Sequence, residues 1–270
     1  MSFELVHGLG PSAPACQAGV VATTRAGRAP RRTDALSRER IVEAAVELLD
    51  AHGEGGLTFR ALTERLATGY GAIYWHVANK GELLGAATDA VIAGALSGAR
   101  QFEPTGSNES VDSSPQDRIR SLALSLFDAI DGHPWVAAPL SDSSWTVTTP
   151  PPTEGSWQAA KPQILESVGQ LIRALGVPEA SWFTTTSVLV QYILGAASQN
   201  ATYARLLPSD ADRTEFLDAV ATAWAELDPE DYPFTQAVAD QMREHDDHEQ
   251  FLAGIDLILT GITALRPADE

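Results

Sequence analysis

A single cysteine, Cys16, stands in 270 residues, which excludes an intramolecular disulfide framework and a thiolate metal cluster. Basic side chains are scarce as well. Eighteen Lys and Arg face 36 Asp and Glu, a formal net charge of -18, and acidity of that size, if evenly spread, repels nucleic-acid phosphates. Long apolar runs are missing. The longest uncharged stretch, residues 180–204, could span a bilayer by length, but it carries Thr184, Thr185, Thr186, Ser187, Gln191, Ser198, Gln199, Asn200 and Thr202. So many polar groups are too costly in hydrocarbon, and a buried helix of a soluble protein is expected, with no membrane partner. The first 24 residues hold no Lys or Arg and no apolar signal core, and no apolar stretch follows the Arg31-Arg32 pair. A cytoplasmic location is expected. Phosphate-binding Gly-Lys, Gly-x-Ser-x-Gly and His-Glu-x-x-His motifs are absent, so neither catalytic residues nor a cofactor are expected.

The charge that is present is unevenly placed. Residues 25–80 hold nine basic side chains (Arg25, Arg28, Arg31, Arg32, Arg38, Arg40, Arg60, Arg65 and Lys80) against seven acidic ones, a net of +2. Residues 81–270 hold nine basic and 28 acidic side chains, a net of -19. The chain is therefore electrostatically polar, with its positive end near the N-terminus. Residues 1–36, rich in Gly, Ala, Pro and Ser, read as a flexible arm ending in a basic stretch. Arg28, Arg31 and Arg32 in that stretch suit phosphate or minor-groove contact, and equally suit a solvated tail.

From Ser37 onward the pattern is helical throughout, and no segment alternates with period two. Ser37 is an expected N-cap, followed by Ile41, Ala44, Ala45, Leu48 and Leu49 at helical spacing. Gly53, Gly55 and Gly56 should end that helix. Thr58 caps a second through Leu62 and Leu66, and a short third element carries Ile73, Tyr74 and Val77. Longer helices are expected at about 82–101, 116–130, 156–175, 179–205, 211–227, 232–244 and 248–265. The fold class is all-α: an N-terminal three-helix helix-turn-helix unit at 37–83, a larger helical effector-binding and dimerisation unit at 84–266, and a tail at 267–270.

Three short helices with a tight turn before the third have a mechanical use. The second braces the third, which lies in the DNA major groove and offers its first side chains to base edges. Leu57, Leu62, Leu66, Ile73 and Val77 would form the small core. The third helix would expose Thr68, Tyr70, Ala72, Tyr74, Trp75 and His76, although Tyr74 and Trp75 could instead pack on the long fourth helix. The N-terminus at Thr58 would offer backbone N–H groups to a phosphate.

The features Leu57-Thr58, Leu62, Leu66, the run from Gly71 to Val77, Asn79-Lys80 and Glu82-Leu83 fall in one register over about 47 residues. In that register they resemble the DNA-binding domain of the tetracycline-repressor (TetR) family. The resemblance implies that Thr58 and Arg60 approach phosphates, that Thr68, Gly69, Tyr70 and Ala72 face the bases or groove wall, and that Tyr74, His76 and Lys80 clamp the backbone. Two positions depart from the family pattern: Thr63 stands for the usual Ala and Ala67 for the usual turn Gly. A non-Gly residue at positive φ costs ~1–2 kcal/mol, so Gly69 is expected to take the bend instead.

The acidic body should hold two heads about one DNA turn apart in a homodimer. The expected dimerising pair is residues 182–203, with small Gly195 and Ala196, and residues 251–265, with the stripe Phe251, Ile255, Leu259 and Ile262. Apolar pockets between helices with a few polar anchors are usual small-molecule sites. Candidate walls for a small, hydrophobic effector are Phe127, Trp135, Trp157, Phe183 and Tyr192, with Gln191 and Asn200 as anchors. Residues 244–249 are metal-ligand types without fixed spacing, so a solvated helix connection is expected and no metal. The reading is a ligand-responsive repressor released from a palindromic operator. The alternative is an acidic interaction module or an enzyme using the C-terminal pocket.

Overall fold

The computed structural model describes residues 36–101, 114–141, 160–206 and 210–265. Every regular element among them is helical. The N-terminal elements are α1 (Arg38–Gly56), α2 (Phe59–Leu66) and α3 (Tyr70–Tyr74). Then come α4 (Lys80–Gln101), α5 (Pro115–Gly132), a 3-10 turn at Pro134–Val136, α6 (Ala137–Ser141) and α7 (Ala160–Ala174). After a second 3-10 turn follow α8 (Trp182–Leu206), α9 (Asp210–Ala225), α10 (Pro233–Ala237), α11 (Ala239–Arg243) and α12 (Asp247–Thr263).

Side-chain caps set the starts. Ser37 Oγ accepts from the Arg40 amide at 3.3 Å, Thr58 Oγ1 from Ala61 at 3.1 Å, and Asp246 Oδ1 from Glu249 at 2.8 Å, each satisfying an N–H that the helix leaves unpaired. At the start of α4, Asn79 Oδ1 accepts from the Glu82 amide and Glu82 Oε2 accepts from the Ala78 amide, both at 2.8 Å, a reciprocal box of the kind that fixes a helix entry. α1 changes direction at Gly53, whose φ of 63° suits glycine. The expected single helix at 232–244 is instead two short ones, because Val238 leaves helical geometry at φ -102°, ψ 6°.

Among the described residues one apolar core joins α1 to α8 and α12. Ile41, Leu49, Leu62 and Ile73 from the first three helices, Ile92 from α4, Leu126 and Phe127 from α5, Ile193 from α8 and Phe251 from α12 all belong to it. The expected boundary at 83/84 falls inside α4, which runs unbroken from the N-terminal helices into the rest. On α12 the stripe Phe251, Ile255, Leu259 and Ile262 is buried in the protomer's own core, which corrects its assignment to a dimer contact. An apolar stripe on a helix specifies burial, and here α8 and α5 supply the cover. α12 and α8 approach closely at Gly254, where an added Cβ would collide with the Tyr192 hydroxyl. No helix among the described residues is long and apolar enough to cross a membrane.

Candidate nucleic-acid interface and ligand cavities

The turn between α2 and α3 is held by backbone bonds. The Thr68 amide donates to Thr63 O at 3.1 Å and the Ala67 amide to Glu64 O at 3.4 Å, the pattern of a helix end closed by one left-handed residue. That residue is Ala67, at φ 48°, ψ 45°, whereas Gly69 is extended at φ -90°, ψ 155° and precedes α3. The expectation that Gly69 takes the bend is corrected, since only the residue directly after α2 can bring the Thr68 N–H back to Thr63 O. Thr63 is buried without loss, because its hydroxyl donates to Arg60 O at 2.8 Å.

α3 turns Ile73, with Val77 just beyond it, into the core and leaves Tyr70, Gly71, Ala72, Tyr74 and Trp75 exposed. Trp75 is 87% exposed, so it does not pack on α4. The Tyr74 ring stacks on Phe59 of α2, centroids 4.5 Å apart and planes within 11°, which braces α3 against α2. Thr68 and His76 are half-buried at the edge of the same surface, Thr58 and Arg60 are exposed at the start of α2, and Lys80 begins α4. Four cations of this end have local partners. Arg60 pairs with Glu64 at 2.9 Å, Arg65 with Glu47, Arg38 with Glu82 at 3.6 Å, and Lys80 Nζ donates to Glu54 O at 2.6 Å. Arg28, Arg31 and Arg32 lie outside the described residues.

Two adjoining cavities lie on α8. The smaller, about 350 Å³, brings together Phe127, Gln191, Tyr192, Gly195, Ala196 and Asn200 with Phe251. Four of the seven expected effector residues, Phe127, Gln191, Tyr192 and Asn200, thus share one wall. Asn200 Nδ2 donates to Asp131 Oδ1 at 2.7 Å, and the Tyr192 hydroxyl donates to Phe251 O at 3.2 Å. Burial raises the Tyr192 hydroxyl above its ordinary pKa. Phe183 is corrected: it is 72% exposed at the start of α8 and lines neither cavity. Trp135 stands apart from that wall: it lines a separate cavity of about 680 Å³ with Asp50, Pro134 and Ser198, and its indole N–H donates to Asp50 of α1 at 2.7 Å beside His133, 2.7 Å from the same oxygen. It ties the end of α1 to the turn after α5. Trp157 lies outside the described residues.

The larger cavity, about 550 Å³, is walled by Tyr203, Phe216, Trp224, Phe234 and Met242, and it shares Gln199, Tyr203, His245, Asp247 and Gln250 with the smaller. Sequence reasoning missed it, although Phe216, Val220 and Trp224 recur every fourth residue along α9. Around 244–249, His245 Nε2 lies 3.0 Å from Asp247 Oδ1 and His248 Nε2 lies 3.0 Å from Asp128 Oδ1. No group of three metal-ligand side chains occurs among the described residues.

Residues 41–87 match the family model of bacterial regulatory proteins, tetR family, and residues 112–266 match the tetracyclin repressor-like C-terminal domain. The structure is similar to that of the transcriptional regulator SCO7222 of Streptomyces coelicolor, with a TM-score of 0.69 and 56% identity over 86% of this chain and 100% of that one. It also resembles ActR of Streptomyces coelicolor, solved in complex with actinorhodin, with a TM-score of 0.64 and 21% identity over 85% of this chain and 96% of that one. By sequence it is 28% identical, over 64% of its length, to the HTH-type transcriptional repressor DrrR1 of Streptomyces coeruleorubidus, spanning 56% of that relative.

Proposed function

The chain belongs to the tetR family of bacterial regulatory proteins, DNA-binding transcriptional regulators, and from that premise we propose that it is a homodimeric repressor. It leaves a palindromic operator when a small hydrophobic molecule binds between its C-terminal helices. The observation that carries the DNA-facing half is the outward surface of α3, where Tyr70, Tyr74 and Trp75 stand exposed on an element whose Ile73 is fully buried. Large rings left in water on a braced helix suit a groove rather than a core. In this reading Tyr70 and Ala72 face bases, while Thr58, Arg60, His76 and Lys80 take phosphates. Arg60 must then exchange its Glu64 partner for a phosphate.

One recognition helix reads few base pairs, so two heads ~34–36 Å apart are required. The surface that supports pairing is the outward face of α8 and α12, where Val188 (48% exposed) and Leu257 (76% exposed) stand among Gly195, Gly261 and Leu265. Small residues let helices approach while exposed aliphatic ones gain from burial. The effector reading is supported by the cavity at Phe127, Tyr192 and Asn200, whose volume suits a small ligand. A molecule that binds there and favours a different head spacing lowers DNA affinity by linkage. Action on DNA places the protein in the cytoplasm.

Gel shifts with the DNA flanking the chain's own coding region test this reading. The expected result is retardation at low salt, lost at least tenfold in Tyr70→Ala and weakened by added hydrophobic ligands. Absence of any shift at low salt would sink it in favour of an interaction module. A stable monomer by light scattering at micromolar concentration would remove the dimer.

A further inference from the structure

We propose that α3 reads its operator through thymine methyl groups, so that each half-site carries thymines opposite residues 68–72. The proposal rests on the DNA-binding reading above and names the base chemistry that reading leaves open. Base edges in the major groove differ in what they offer. Guanine and adenine are taken by paired hydrogen bonds from Arg, Lys, Asn or Gln, cytosine by a carboxylate, and the thymine methyl by an apolar contact. Between Ala67 and Ala78 the chain has no Arg, Lys, Asn, Gln, Asp or Glu. Exposed at the start of α3 are instead Gly69, Tyr70, Gly71 and Ala72, with Thr68 half-buried beside them. The forked side chains that flank this run are engaged. Arg60 meets Glu64 at 2.9 Å, Arg65 meets Glu47, and Asn79 Oδ1 caps α4 on the Glu82 amide at 2.8 Å. What remains for base contact is the Ala72 methyl, the Tyr70 ring with its single hydroxyl, and the Thr68 side chain.

The two glycines point the same way. Gly69 is extended at φ -90°, ψ 155°, Gly71 lies within α3, and neither has a positive φ. Their backbone conformations are therefore open to any residue. Packing does not require glycine either, since a Cβ added at Gly69 or Gly71 would meet nothing within 4 Å. Glycine weakens a helix relative to alanine, and no contact inside the protein offsets that loss. Bare backbone on an exposed recognition helix does let a partner surface come close. A thymine methyl fills the space a side chain would occupy there, whereas a larger residue at Gly71 would hold α3 away from the base edges.

Operator selection and base analogues test this with the full chain. Duplexes that the protein recovers from a randomised library should carry thymine at the core of both half-sites. In a recovered duplex, deoxyuridine in place of thymine removes only the C5-methyl. Each seated methyl lost should weaken binding about fourfold, the effect of burying one such group, while deoxyuridine outside the cores changes nothing. Guanine replaced by 7-deazaguanine, which lacks the N7 acceptor, should leave affinity unchanged. Gly71→Leu should keep the wild-type melting temperature and weaken the same duplex at least tenfold by fluorescence anisotropy. The base analogues leave the protein unaltered, so they decide the matter even where the variant folds poorly. Full affinity with deoxyuridine in the cores, a tenfold loss with 7-deazaguanine, or a normally melting Gly71→Leu that binds like wild type would overturn the proposal. Recovery of no duplex at low salt would remove the DNA-binding reading itself, and thymine readout with it.

Discussion

Ala67 holds a left-handed conformation that a side chain disfavours, and it does so at the turn that aims the recognition helix. The strain of a Cβ at positive φ is ~1–2 kcal/mol, and the two backbone bonds that need this conformation outweigh it. Replacing Ala67 with Gly relieves that strain but adds ~0.5–1 kcal/mol of unfolded-chain entropy. The expected net is a gain of about 0.5–1 kcal/mol, seen as a rise of about 2 °C in thermal unfolding for a chain of this size. A fall in melting temperature would mean that the turn is not under strain. The neighbouring Thr63 offers a contrast, since its buried hydroxyl meets Arg60 O and leaves no unsatisfied group.

At the scale of elements, α4 joins the DNA-facing helices to the body, and a single carboxylate fixes where α7 begins against it. Asp89 Oδ1 accepts the Ala160 amide at 2.9 Å, and burial pushes its pKa up to about 6, against the lowering pull of that hydrogen bond and of Arg38. A carboxyl whose folded pKa lies above its unfolded one favours folding in its protonated form. Its contribution is fully present below about pH 4 and is lost as pH rises through about 6. Asp89→Asn, which keeps an oxygen acceptor and never ionises, should therefore be the more stable protein at pH 7.5, by about 1 kcal/mol once solvent screening is allowed for. The difference should shrink as pH falls below about 6 and close near pH 4, measured by chemical denaturation at each pH. A constant difference across that range would show that Asp89 does not titrate there.

These elements also show what a sequence can and cannot disclose. Ser37 and Thr58 were legible as caps because a cap is local chemistry, and helix periods placed α1 to α5 and α12 to within a few residues. The left-handed residue was misplaced because it depends on which carbonyl the Thr68 amide reaches. The α12 stripe was legible as buried but not as buried against α8 and α5 rather than against a second chain, since amphipathicity carries no address. Gln191, Tyr192 and Asn200 fell together because they share turns of one helix, whereas Phe183 and Trp135, chosen for ring size alone, did not.

For the whole molecule, the net charge of -18 conceals a mildly basic end and an acidic body, so the proposed DNA binding works against a repulsive background. Arg38, Arg60, Arg65 and Lys80 are engaged internally, and each phosphate contact by one of them requires exchange of a partner. Affinity must then come from few, well-seated contacts plus whatever Arg28, Arg31 and Arg32 add. Each phosphate neutralised contributes a slope of about -0.9 to the logarithm of the binding constant against that of salt. If the arm reaches DNA, replacing Arg28, Arg31 and Arg32 together with Ala should reduce the slope by about three per protomer and weaken all sequences alike. Tyr70→Ala should instead reduce discrimination between operator and random DNA with little change in slope. Fluorescence anisotropy on both DNAs from 50 to 200 mM salt reads the two effects separately. An unchanged slope in the triple variant would mean that the arm stays in solvent and that the head alone overcomes the repulsion of the acidic body.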